Sequence, residues 1–325
     1  MPVEEILTVK GLSKYFKTTR GVVKAVEDVS FSVMKNETFG LVGESGSGKS
    51  TVGHVIMGIY GPTAGSITFM GKDISMGVGR RPKELKKQLQ IVFQDPASSL
   101  NPRRTIMQIL ELPLRVHHLA PDGNYREKVF EIMNLIELPR EFAERYPGEQ
   151  GGGEKQAVAI GRALATGPTF IVLDEPTSAL DVSIQAKIIN MLMKFQKDFN
   201  LSYLFITHNL SLMRNVAQRV AIMYLGKIVE LADTPEFFSN PLHPYTKMLL
   251  SAVPVITPEE EALKPEKVRS TGEISGALNI PPGCSFHPRC PFVMDTCSKV
   301  VPSMVEYRKG HYVACYLYPS ALNAE

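Results

Sequence analysis

GESGSGKST, residues 43–51, sits between an apolar run and an amphipathic one, and its reading decides the fold. It fits the pattern G-x-x-x-x-G-K-[ST]. The preceding ETFGLVG (37–43) reads as a strand. Behind it, Val52, Val55, Ile56 and Ile59 fall at i, i+3, i+4 and i+7, which predicts a helix over 49–59 with one buried face. A strand, a glycine-rich turn and a helix together make a phosphate cradle, because the glycines let backbone N–H groups wrap an anion. Gly43, Ser45, Gly46, Ser47, Gly48 and Thr51 are assigned to that cradle. Lys49 offers a point charge to the β- and γ-phosphates, and Ser50 can ligate Mg²⁺.

Moving outward, residues 1–42 read as strands: ILTVKGL, then VVKAVEDVSFSV with Val29, Phe31 and Val33 on one face, then ETFGLVG after a turn at Lys35 and Asn36. A further β pair is expected around SITFMGKDI, and LQIVFQ (89–94) is a compact apolar strand. From Asp95 to about Thr166 the period is helical, Val129, Ile132, Met133 and Ile136 giving the clearest stripe, with proline breaks expected at 96, 102, 113 and 121. TFIVL (169–173), a helix from about 182 to 199, SYLFI (202–206), a short helix and a hairpin through RVAIMYLGKIVEL follow. Such alternation predicts an α/β fold with a mostly parallel sheet flanked by helices. From about Val253 the pattern gives way to a charged linker, and the Pro- and Cys-rich tail at 271–325 has too little apolar periodicity for a core of its own.

Charge and hydropathy exclude several classes. The formal net charge is only +3 and the charges are interspersed, so nothing reads as a nucleic-acid or lipid-binding tail. No apolar stretch reaches the roughly 18 to 20 residues of a membrane span, and the N-terminal MPVEEILTVK is acidic where a signal peptide is basic. The chain is expected in the cytosol, docked on partners at the membrane.

Two further strand ends carry chemistry. FIVLDEP (170–176) ends a buried strand in two carboxylates; Asp174 can hold Mg²⁺ through water, and Glu175 can polarise an attacking water. LFITHN supplies His208, whose neutral imidazole can bond a γ-phosphate or the water, although a strand-end histidine alone is more often structural. RYPGEQGGGEKQAVAIGRAL (145–164) places Gly151, Gly152 and Gly153 before a second predicted helix, a second anion-binding pattern in a chain with one phosphate loop.

Gln94 after IVF, the element QGGGE, the LDEP strand end, SALD at 178–181 and His208 occur in the order and spacing of the ABC-type ATPase cassette, which the chain resembles over roughly residues 1–250. The resemblance implies a P-loop core of parallel sheet, an antiparallel β subdomain and a helical subdomain near 95–166. It implies MgATP hydrolysis with Glu175 as the water-positioning base and Lys49, Ser50, Gln94 and His208 stabilising the transferred phosphoryl. By the same resemblance Gln94 senses Mg²⁺ and water, Phe16 or its neighbour Tyr15 stacks on adenine, and Asp181 belongs to the D-loop; Tyr15 and Phe16 also read as packing residues of the β subdomain. Two such cassettes face head to tail, each ATP lying between one phosphate loop and the other's glycine-fronted signature helix. Gly151, Gly152 and Gly153 then serve the nucleotide of a neighbour.

Cys284, Cys290, Cys297 and Cys315 are the only cysteines, with gaps of five, six and seventeen residues, none a C-x-x-C. A cytosolic chain argues against disulfides, and four thiolates can hold an iron–sulfur cluster. HPYTKMLLSAVP with PPGCSFHPRCP resembles the C-terminal extension (251–325) of oligopeptide and dipeptide transporter ATPases, which implies a 4Fe-4S cluster on these cysteines. Zinc held by cysteines or His287, and free thiols, are the alternatives. The expected role is to drive import of di- or oligopeptides at the cytoplasmic face of the membrane. The expected partners are two permease subunits touched near Gln94, a second ATPase subunit and, indirectly, an extracellular substrate-binding protein. An oligosaccharide or metal cargo is also open. A soluble ABC ATPase would show two cassettes or a coiled-coil insertion, and a P-loop kinase would lack SALD.

One departure stands out. ABC signatures read L-S-G-G-Q, whereas this chain has Gln150 to Glu154 as QGGGE. The serine hydroxyl is missing and a carboxylate is added in the first helical turn, so a heterodimer with unequal sites is expected, ATP on the partner turning over slowly.

Overall fold

The computed structural model describes residues 4–120, 122–252, 276 and 278–318. The expected break at Pro121 and the linker from Val253 lie outside them. Two long strands, β1 (Glu5–Thr18) and β2 (Gly21–Met34), form an antiparallel pair. Next come β3 (Thr38–Val42), α1 (Lys49–Ile56), β4 (Ala64–Phe69) and β5 (Lys72–Asp73). The first sheet runs β2-β1-β4-β5 and is the antiparallel subdomain. Helix α1 stops short of its expected end: Gly58 takes φ +75°, and Ile59 is exposed. The left-handed turn after Met57 rotates Ile59 off the buried stripe.

A short helix α2 (Lys83–Gln88) leads into β6 (Leu89–Val92). The helical subdomain then holds α3 (Pro96–Ser99), α4 (Ile106–Val116), α5 (Tyr125–Leu135) and α6 (Gly152–Leu164). Helix α4 begins in a reciprocal cap, Gln108 N–H donating to Thr105 Oγ1 and Thr105 N–H to Gln108 Oε1. Pro113 does not break it. The buried face continues from Ile106, Met107, Ile109 and Leu110 across the proline to Leu114, and tertiary packing outweighs the one backbone bond that proline forfeits.

The chain continues through β7 (Phe170–Asp174), α7 (Val182–Phe199), β8 (Ser202–Thr207), α8 (Leu210–Val216), β9 (Arg219–Tyr224) and β10 (Lys227–Asp233). Helices α9 (Thr234–Ser239) and α10 (Pro244–Ala252) follow, then the hairpin β11 (Val305–Arg308) and β12 (His311–Val313). The main sheet runs β11-β12-β10-β9-β3-β8-β7-β6, with β9, β3, β8, β7 and β6 mutually parallel. Strand alternation splits the core in two. Phe170, Val172, Leu204 and Ile206 face the β subdomain with Val52 and Ile56, while Ile171, Leu173, Tyr203 and Phe205 face the helical side. The cysteine-containing tail shares that second core through Phe286, and β12 pairs with β10.

Candidate functional site

The parallel register decides what meets what. Strands β3, β8, β7 and β6 are neighbours running the same way, so the phosphate loop after β3, His208 after β8, Asp174 and Glu175 at the end of β7 and Gln94 after β6 all emerge at one sheet edge. The phosphate loop, Glu175, Gln94 and His208 line one open cleft of about 940 Å³, together with Val23, Ala25 and Leu249, while the buried Asp174 lies behind it against Ser50. Gly48, at φ +103°, ends the loop where a Cβ would collide with the Ala25 carbonyl, so only glycine fits there.

Lys49 is buried, and its ammonium donates to the Gly43 carbonyl (2.8 Å) and the Glu44 carbonyl (2.9 Å). Burial lowers its pKa, against the opposing pull of Glu175, Asp174 and Glu44. Ser50 Oγ donates to Asp174 Oδ1 at 2.8 Å, which brings together two of the residues expected at Mg²⁺, the third being Gln94. Burial raises Asp174, opposed by the Ser50 hydrogen bond and by His54. His54 Nε2 stands 3.5 Å from Asp174 Oδ2 without a hydrogen bond. It lies on the polar flank of α1, where helical period alone gives no signal.

Glu175 adopts φ +46°, and its N–H donates to the Ile206 carbonyl at 2.9 Å. A bulky non-glycine residue held there is locally strained, as active-site residues often are. That turn aims its carboxylate at Gln94, whose Nε2 donates at 3.3 Å, and at His208, whose Nδ1 lies 3.1 Å away. The His208 contact needs the tautomer or charge state with a proton on Nδ1. Two donors on one oxygen fix the carboxylate and leave the other oxygen for water.

Other expected residues stand apart. Asp181 lies outside the cleft, its Oδ1 accepting from Ile184 N–H and Ser183 Oγ as the N-cap of α7. Gly151, Gly152 and Gly153 open α6 against Leu180 and Ile184, likewise away from the chain's own cleft. A Cβ at Gly151 would stand 2.6 Å from Glu154 Oε2, so that carboxylate folds back over the helix N-terminus. Phe16 pairs with Val23 and meets Tyr60 edge-on at 5.2 Å, while Tyr15 bonds Glu27; neither lines the cleft.

The four cysteines line one small enclosed pocket with His243 and His287. Burial raises the pKa of Cys284 and Cys290 and pushes Cys315 up to about 12, so these three thiols, free of metal, stay protonated at neutral pH. Among the described residues no three His, Cys, Asp or Glu side chains are gathered to hold one metal ion. His243 is buried and held neutral by desolvation; its Nδ1 accepts from Tyr245 N–H, and its Nε2 has no partner. Four thiols and an unpartnered buried N–H thus surround a pocket of only about 10 Å³. His287 Nδ1 instead sits 2.9 Å from the Cys284 carbonyl.

Among the described residues no helix is long and apolar enough to cross a membrane. A family model for ABC transporters matches residues 26–178, and one for the oligopeptide/dipeptide transporter C-terminal region matches 229–297. The oligopeptide transport ATP-binding protein AppF of Bacillus subtilis is 46% identical over 97% of this chain and 98% of its own length. The putative oligopeptide transport ATP-binding protein YkfD of the same organism is 42% identical, with 98% of each covered. Among solved structures, the dimeric post-hydrolysis state of the ATP-binding cassette MJ0796 with ADP and Pi gives a TM-score of 0.63 at 26% identity, covering 70% of this chain and 98% of that one. CbiO1 of Clostridium perfringens, part of the transporter complex cbiONQ, gives 0.64 at 25% identity, covering 73% and 92%.

Proposed function

The chain belongs to the ABC transporter ATPase family and carries its oligopeptide/dipeptide C-terminal region, and from that premise we propose that it hydrolyses MgATP to drive peptide uptake through separate permease subunits. The observation that carries the reading is the convergence of Lys49, Ser50, Glu175, Gln94 and His208 in one cleft at the ends of four parallel strands, with Asp174 bonded to Ser50 behind it. ATP enters with its phosphates on the loop 43–51. Lys49 then exchanges its carbonyl partners for the β- and γ-phosphates. Ser50 and Asp174 would hold Mg²⁺, which would supply charge neutralisation to the phosphoryl. Glu175, oriented by Gln94 and His208, takes a proton from the in-line water, and the exposed His208 ring can turn its Nδ1–H from that carboxylate to the phosphoryl oxygens.

The assembly we propose is a heterodimer of ATPase subunits on the cytoplasmic face of the membrane, bound to two permeases and served by an extracellular substrate-binding protein. In it, Gly151, Gly152 and Gly153 face the partner's ATP, and Phe16 stacks on adenine once the nucleotide fills the cleft beside Val23. The Glu154 carboxylate already at the N-terminus of α6 opposes a phosphate there, which supports unequal sites. For the tail we propose that Cys284, Cys290, Cys297 and Cys315 hold a 4Fe-4S cluster, a reading supported by the four thiols lining one pocket. Uptake of a labelled peptide into cells dependent on this chain, abolished by Lys49→Ala, tests the transport reading. Uptake of an oligosaccharide but no peptide would redirect it.

A further inference from the structure

The phosphate loop GESGSGKST carries one acidic residue, Glu44, on the wall of the cleft. A carboxylate beside a triphosphate repels it. Glu44 is not left alone. Arg289, from the cysteine-containing tail far along the chain, meets it with both arms of its guanidinium: Nη1 donates to Oε2 at 3.0 Å and Nη2 to Oε1 at 3.3 Å. Arg289 is buried at 7% exposure, immediately before Cys290 and at the end of the turn His287–Arg289. The Tyr224 hydroxyl, 3.5 Å from Nη1, and the Phe286 ring, with the guanidinium 5.7 Å from its centre, hold it in place. The loop's backbone is anchored from the same side, because Glu44 N–H donates to the hydroxyl of the buried Tyr245 at 3.1 Å. On the other side, the Glu44 carbonyl accepts from Lys49 Nζ.

We propose that Arg289 is a positioning residue for the nucleotide: by pairing with Glu44 it cancels the one negative charge of the phosphate loop, so docking of the tail sets the affinity of the cleft for ATP. A fork-shaped cation suits this task because two parallel bonds fix the carboxylate away from the phosphates as well as neutralising it. A pair that served only as a fold staple would stabilise the chain equally with or without ATP. A charge-cancelling pair acts on ATP binding, and only while Glu44 is charged.

This inference rests on ATP occupying the cleft, and hydrolysis of MgATP by the unaltered full-length chain is the separate check on that reading. The test is a double-mutant cycle on the full-length chain, with KM for MgATP and kcat measured for Arg289→Gln in the native background and in Glu44→Gln. Arg289→Gln is expected to raise KM about tenfold or more in the native background, with kcat within about twofold, and to change KM less than about twofold when Glu44 is already Gln. Arg289→Lys, which keeps the neutralising charge but not the fork, is expected to raise KM by no more than about threefold. The proposal is overturned if Arg289→Gln shifts KM equally in both backgrounds, or if it lowers kcat or the melting temperature with KM unchanged. It is also overturned if Arg289→Lys itself raises KM about tenfold or more, an outcome readable even where the neutral variant does not fold.

Discussion

Glu175 Oε2 lies 3.1 Å from His208 Nδ1, joining the carboxylate that ends β7 to the imidazole beyond the end of β8. The imidazole is more than half exposed at its side chain while the carboxylate is nearly covered, so the pair has one fixed member and one free to follow a ligand. His208→Ala should therefore lower kcat by roughly ten- to a thousandfold, the range for losing one preorganised donor, and change KM for ATP much less. Steady-state hydrolysis across MgATP concentrations checks the split.

Arg219, half-buried, and Glu37, buried, form a pair between β9 and the turn before β3. Arg219 Nε donates to Oε1 at 2.7 Å and Nη2 to Oε2 at 3.0 Å, while Met34 N–H donates to the same carboxylate. Replacing Arg219 by Met leaves Glu37 charged and enclosed, so the chain should lose about 3 kcal/mol of stability. Denaturant unfolding reads this directly, and Glu37→Gln in the same chain should recover part of the loss.

The signature helix can be given back its missing hydroxyl. A serine at position 151 meets only the end of the Glu154 side chain, a flexible group that can move, so Gly151→Ser with Glu154→Gln fits the space. In the proposed heterodimer the pair should raise turnover at the partner's site roughly tenfold, leaving this chain's own site unaffected. Site-resolved turnover, with one phosphate loop disabled at a time, distinguishes the two. No change at either site means that the three backbone N–H groups suffice.

Much of this site is legible in sequence because strand ends and glycine turns are local patterns. LVGESGSGKST, FIVLDEP and LFITHN each announce a strand and the functional turn at its end, and the parallel order brings them together. The pairing of distant polar groups has no such local signal. His54 reads as a polar residue on an amphipathic helix and Glu44 as a variable loop residue. Arg289 reads as one cation in HPRC; only the fold sets it against Glu44. Helices α9 and α10 escape the periodic reading because Phe237, Phe238 and Tyr245 are buried in short elements too brief to show a stripe. Pro113 shows the converse: a local breaker overridden by a continuous buried face.

The four-cysteine pocket makes a compositional prediction. Protein purified without oxygen should be brown, with iron and acid-labile sulfide in equal amounts of about four each per chain, and Cys290→Ser should bleach it. Chelation of the iron should free thiols that react slowly, since burial holds them protonated. Stoichiometric zinc without iron would replace the cluster by a mononuclear site.

The central claim is that Glu175, fixed by Gln94 and His208, activates the water that attacks ATP held on the 43–51 loop. The most direct measurement is paired: MgATP binding and single-turnover hydrolysis by Glu175→Gln in the assembled transporter. Binding is predicted to stay within about threefold of the unaltered protein, with hydrolysis slowed by at least about a hundredfold and an ATP-closed dimer that persists. Hydrolysis at a near-normal rate by that variant contradicts the claim.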